Sequence, residues 1–160
     1  MKIAAIAAIF TLGFGSGMWA TAHARQATSL PAERVSGIGG VFFKARDPKS
    51  LAAWYRQALG IDMVAGAQFA KFPWREREDS SRVGSTAWSL FPSDTKYFAP
   101  SGTPFMINYR VRKLDAMLAQ LRALGVAVEP KVTEEFNGQF AWIVDPEGNK
   151  IELWEPKSGY

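Results

Sequence analysis

Cysteine is absent from the 160 residues, which excludes disulfides, thiolate metal centres and a cysteine nucleophile. Histidine is nearly absent. The single one, His23, lies within ATAHA at 20–24, a small-residue stretch with the look of a processing site. A chain cleaved there would hold no histidine, so histidine-dependent zinc, iron and triad chemistry would be unavailable to it. A carboxylate site for a hard divalent cation is not excluded by composition. Long runs of one charge are missing too. The formal charge is +4, but lysines and arginines alternate with acids, and REREDSSR at 75–82 reads as a solvated loop. No recognised nucleic-acid module or arginine-aromatic array accompanies this charge, so no nucleic-acid partner is expected; an anionic small ligand is compatible with it.

A membrane-length hydrophobic run is also lacking. Lys2 is followed by an apolar stretch from Ile3 to Phe14 and then by Ala22-His23-Ala24, the order of a secretory signal peptide. The expectation is export to the periplasm or outside the cell after cleavage near Ala24. An uncleaved anchor is the alternative, and residues 1–24 would then be the only membrane contact; Gly13, Gly15 and Gly17 weaken a stable spanning helix. Residues 25–37 read as a leader into a domain at 38–156, with 157–160 as a frayed tail.

The domain shows an internal repeat. VFFKARDPKSLAAWYRQALGI at 41–61 is echoed by INYRVRKLDAMLAQLRALGV at 107–126, each a strand, a helix and a Leu-Gly exit. Asp47 is suited to cap the first helix, with Pro48 at its first position and a buried stripe of Leu51, Trp54, Tyr55 and Leu59. Leu114, Met117, Leu118, Leu121 and Leu124 make the corresponding stripe of the second. The spacing predicts helices over 48–59 and 114–124, within units at 38–99 and 103–156. Asp145-Pro146-Glu147-Gly148-Asn149 is a turn sequence between two strands, which gives Asp145 a structural role.

Strand alternation selects the candidate site. Phe105, Ile107, Tyr109 and Val111 fall on one side, with Met106, Asn108 and Arg110 on the other; Ile151 and Leu153 likewise alternate with Lys150, Glu152 and Trp154. The more apolar sets should cover helices, leaving the mixed sets to line a concavity. Phe42, Trp88, Trp142 and other aromatics exceed what a small helix-covered sheet needs, so they join Met106, Asn108, Arg110 and Trp154 as candidate ligand contacts. Glu152 is the one centrally placed candidate for a general base.

The run GVFFKARDPKSLAAWYRQALG, then PFMINYRV and LDAMLAQLRALGV, then FAWIVDPEGNKIELWEP resembles the vicinal oxygen chelate family of glyoxalase, bleomycin-resistance and dioxygenase proteins. The resemblance implies an α+β fold of paired βαβββ modules whose curved sheets form a cleft, and a possible homodimer. It places metal-ligand positions near Gly40 and Met106, around Ala87 to Leu90, and at Glu152. Of these only Glu152 is a carboxylate, so no cofactor is expected. The leading expectation is an exported protein that binds a small organic molecule in an aromatic cleft without a histidine-based metal. The alternatives are a metal-independent or carboxylate-metal lyase or isomerase, and a structural or protein-interaction domain.

Overall fold

The computed structural model describes residues 31–77 and 79–160, so the expected export segment at 1–24 and residues 25–30 of the leader lie outside the described residues. The first unit contains β1 (Gly37–Ala45), α1 (Pro48–Leu59), β2 (Phe69–Arg75) and β3 (Val83–Pro92). The second contains β4 (Phe105–Arg110), α2 (Leu114–Ala123), β5 (Thr133–Glu135), β6 (Gly138–Val144) and β7 (Lys150–Pro156). The expected helix at 48–59 forms over those residues. Asp47 accepts from the Ser50 amide at 3.0 Å and from its hydroxyl at 2.6 Å, Pro48 takes the first turn, and Gly60 exits at φ 65°.

The strands form one seven-stranded sheet in the order β2-β3-β1-β4-β7-β6-β5. β1 and β4 meet antiparallel at its centre, while β3 runs parallel to β1 and β7 parallel to β4. Each unit therefore folds its last strand back beside its first. In the first unit the first strand after the helix is reduced to a single bridge, Met63 to Ala70; in the second it is the short β5, with a further bridge from Val128 to Ile143 of β6. The outcome is two βαβββ-like repeats in a curved, unclosed sheet.

Period-two alternation sorts the side chains. Val111, Leu153, Ala141 and Ile143 pack under Leu114, Met117 and Leu118 of α2, whereas Ala45, Ala70, Leu90 and Met63 pack under Ala52 of α1. Each such leucine or methionine contributes about 1.5–3 kcal/mol by leaving water. The stripes are narrower than expected: Trp54, Leu59 and Leu124 are exposed at 53%, 63% and 68%. The sheet covers Leu51, Ala52 and Tyr55, and α2 ends one residue before Leu124. No described helix is long and apolar enough to cross a membrane.

The turn at 145–149 sits between β6 and β7 as expected. Asp145 accepts from the amides of Glu147 and Asn149 at 2.9 and 2.8 Å and from the Asn149 side chain at 2.9 Å, while Gly148 adopts φ 84°. Those local donors hold the Asp145 carboxyl below its ordinary value. This is a structural aspartate.

Candidate functional site

Opposite the helices, the pairing of β4 with β1 on one side and β7 on the other brings together Gly40, Asn108 and Glu152 across three adjacent strands. Glu152 is only 2% exposed, yet both its oxygens are satisfied. Asn108 Nδ2 donates to Oε1 at 2.6 Å and Trp142 Nε1 donates to Oε2 at 2.9 Å. The Tyr97 hydroxyl also donates to Oε2. Burial raises the carboxyl's proton affinity above the ordinary value, against the pull of these three donors and the nearby Lys150 charge. Burial, and then the charge of Glu152, pushes the Tyr97 phenol strongly upward, so Tyr97 stays protonated as a donor.

The arrangement fixes Asn108. Because the carboxylate accepts its Nδ2, its Oδ1 points the other way, where it is buried without a hydrogen-bond partner among the described residues. A Cβ on Gly39 would collide with that oxygen, and would approach Trp154 Cε3 to 2.8 Å and Arg110 Cγ to 3.0 Å. The bulge at Ile38 to Gly40 thus places bare backbone against Asn108.

Beside this group lies a cavity of about 250 Å³. Phe42, Phe69, Phe91, Phe140 and Trp154 supply rings, with Ser85, Ser89, Asn108, Asn137 and Glu152 among its polar walls. Phe140 stacks on Trp154 with ring centroids 5.9 Å apart, and Trp154 Nε1 donates to the Asn137 carbonyl at 3.2 Å. The volume sits just below the usual ~300 Å³ lower bound for small-molecule pockets. It suits one or two rings.

Four expected contacts, Phe42, Asn108, Glu152 and Trp154, come together on this cavity, and four do not. Trp88 faces α1, where it packs on Phe43 and Tyr55 at 6.0 and 4.8 Å, because its place in β3 is one alternation step from Ala87 and Ser89. Met106 and Trp142 are on the cleft side but form a filled cluster with Phe98, so the concavity is open over only part of its length. Arg110 lines a neighbouring, larger cavity instead. The expected frayed tail is docked: the Lys157 amide donates to the Asn137 carbonyl at 3.1 Å, Arg110 Nη2 donates to the main-chain oxygen of Tyr160 at 3.1 Å, and Tyr160 lines the ring-walled cavity.

Tyr97 is the chief residue that sequence reasoning missed. It sits in the connection between the units, 55 residues from Glu152, and no local pattern joins them. Phe140 and Asn137 carried a weak signal, since β6 alternation puts Phe140 beside Trp154.

A metal does not fit these residues. Gly40 and Ala87 carry no donor atom at the two first-unit positions, and the oxygens of Glu152 are occupied by N–H and O–H donors. Among the described residues no three His, Cys, Asp or Glu side chains gather as a cation site. The register also moves one family position: Gly40 lies opposite Asn108, while Met106 lies opposite Phe42.

The comparisons agree with this fold. A family model described as a glyoxalase-like domain matches residues 40–154. Methylmalonyl-CoA epimerase from Mycobacterium tuberculosis is similar in structure, with 22% identity, TM-score 0.53, and 81% of this chain and 94% of that one covered. A single-residue variant of Streptomyces coelicolor methylmalonyl-CoA epimerase, in complex with 2-nitronate-propionyl-CoA, gives 19% identity and TM-score 0.58 over 78% of this chain and 100% of that one. At these identities the likeness is one of fold. No curated protein matches the chain. With the family model spanning both units, the chain belongs to the glyoxalase-like domains of the vicinal oxygen chelate superfamily.

Proposed function

We propose that this protein binds a small, ring-containing organic molecule in the cavity between Phe42, Phe91 and Trp154, without a histidine-based metal. The observation that carries the reading is Asn108 Oδ1, a buried acceptor beside the cavity with no partner among the described residues. Leaving such an acceptor empty costs about 1–3 kcal/mol, which a ligand N–H or O–H would recover. The rings supply dispersion and edge contacts. That epimerases of like fold are solved with acyl-CoA ligands supports a small organic molecule as the class of occupant.

The raised proton affinity of Glu152 favours a second reading, proton transfer in a lyase or isomerase reaction. Binding is preferred because Tyr97, Asn108 and Trp142 already occupy the carboxylate, which makes Glu152 the support of the wall. Export remains part of the proposal, on the N-terminal pattern of Lys2, the apolar run and Ala22-His23-Ala24. Self-association is supported by exposed Trp54 and Phe72 outside the cavity, and light scattering across concentration would test it.

The binding test uses matched ligand pairs. In a screen of one- and two-ring compounds read by tryptophan fluorescence and thermal shift, a phenol or anilide should bind about five- to tenfold tighter than its O- or N-methyl counterpart. Asn108→Ala should erase that difference. A screen without saturable binding, or a preference that survives in the variant, would overturn the reading.

A further inference from the structure

A second cavity, of about 1000 Å³, opens where the start of β1 meets the ends of β2, β4 and β7. Five arginines line it, Arg75, Arg77, Arg82, Arg110 and Arg112, against the acids Glu76, Asp79 and Glu155. Each acid already has a partner. Glu76 pairs with Arg82 at 3.2 Å, Asp79 accepts from the amide and hydroxyl of Ser81, and Glu155 accepts from the Leu114 amide at the start of α2. Arg75, Glu76, Arg77, Asp79 and Arg82 come from the alternating segment that composition alone assigned to a solvated loop, and they frame a concavity.

Arg110 differs from the other four. They are exposed, whereas Arg110 is 5% exposed. Its guanidinium is sandwiched between Trp74 and Trp154 at 5.0 and 5.1 Å from the ring centroids. The rings hold the flat fork in one plane but accept no hydrogen bond along its edge. Nη2 donates to the main-chain oxygen of Tyr160 at 3.1 Å, and Nη1 is buried with no partner among the described residues. Such a donor is costly to leave empty. Burial lowers the proton affinity of the group and Arg82 lowers it further, against the opposing pull of Glu76. An anion in the cavity would relieve both effects.

We infer that this cavity is a second binding site, for the oxyanion of a small molecule, with Arg110 as its buried anchor and Arg75 and Arg112 at its rim. A guanidinium fixed in plane presents parallel N–H groups that match a carboxylate or phosphate, a fit that a point charge does not reproduce. The site stands on residues separate from the ring-walled cavity's polar group. Trp154 and Tyr160, which hold Arg110, also line the ring-walled cavity, so the two cavities adjoin.

The test titrates the full chain with pyrophosphate and, separately, citrate, with sodium chloride adjusted to hold ionic strength constant. Saturable heat in calorimetry and a rise in melting temperature are expected with at least one of them, and which one responds assigns the oxyanion as phosphate or carboxylate. Arg110→Lys keeps the charge but loses the fork and should weaken binding about tenfold. Because that change also disturbs the sandwich, the rim pair Arg75→Gln with Arg112→Gln serves as a second variant, expected to weaken binding severalfold while leaving the melt without anion unchanged. Absence of saturable binding by both anions, or equal binding by wild type and the rim variant, would overturn the inference.

Discussion

The two units of the sheet use equivalent positions in opposite ways. Gly40 and Ala87 are register partners on the parallel strands of the first unit, and Asn108 and Glu152 are the partners at the same place in the second. Since Gly40 also lies directly across the central seam from Asn108, the sites are related by the repeat itself. One unit holds an amide and a carboxylate where the other holds almost nothing. The Phe42 ring explains the vacancy, because a Cβ on Gly40 would come within 2.7 Å of it. The first unit thus gives up its polar pair for a ring and two small residues, and the space left is the cavity. A repeat with two equal halves would carry such a pair on both sides of the seam; this one keeps the amide and the carboxylate on the second unit alone.

The most severe way to break that asymmetry is Glu152→Ala. It strands the donors of Tyr97, Asn108 and Trp142, and should cost about 3 kcal/mol or more in urea unfolding. Ala87→Gly, the change at the equivalent first-unit position, should cost no more than about 1 kcal/mol. Similar losses at both sites would show that the polar wall has no special weight. Gly39→Ala should come next, at about 1–3 kcal/mol, because its Cβ enters space held by Asn108, Trp154 and Arg110. The same variant should lose ligand binding, since Asn108 and Trp154 both line the cavity.

The pH dependence sharpens the comparison further. Burial raises the native proton affinity of Glu152 above its ordinary value of 4.5. As pH rises from that value towards the raised one, the unfolded chain has released this proton while the native state still holds it, so stability falls. The slope is bounded at about 1.4 kcal/mol per pH unit for one proton. Asp47, Asp79 and Asp145 are shifted downward, so their contribution has the opposite sign and lies below the ordinary aspartate value of 3.8. Glu152→Gln should abolish the fall above 4.5 and leave the acidic limb intact, as read from urea midpoints across pH. A variant with an unchanged slope would remove Glu152 as its source. The smallest effect belongs to Trp88→Phe, which should leave ligand affinity unchanged within about twofold while lowering stability by about 1 kcal/mol, because Trp88 packs beneath α1.

The fold was legible because its cues are local: Asp47-Pro48, Gly60, the two helical stripes and the 145–149 turn each act within a few residues. Alternation likewise placed Asn108, Arg110, Glu152 and Trp154 on the correct face. It could not say which of them would reach open space, since that depends on residues distant in sequence. Phe98 fills the end beside Met106, and the Tyr97 hydroxyl reaches Glu152 from a loop. Trp88 was misplaced by one step of alternation in a strand whose register is set by β1 and β2 together.

Sheet order has a further consequence, for behaviour at high concentration. Among the described residues the edge strands are β2, met on its outer side only by the bridge from Met63 to Ala70, and β5, and an open edge is a template for growth between molecules. Neither edge offers a usable ladder. β2 carries Pro73, which has no amide hydrogen to donate, with Lys71 nearby, and β5 is three residues long with Glu134 and Glu135 in it. The central strands β1 and β4 each have a partner on both sides. The molecule thereby resists stacking edge to edge into fibres, even with Phe72 45% exposed on its outermost strand.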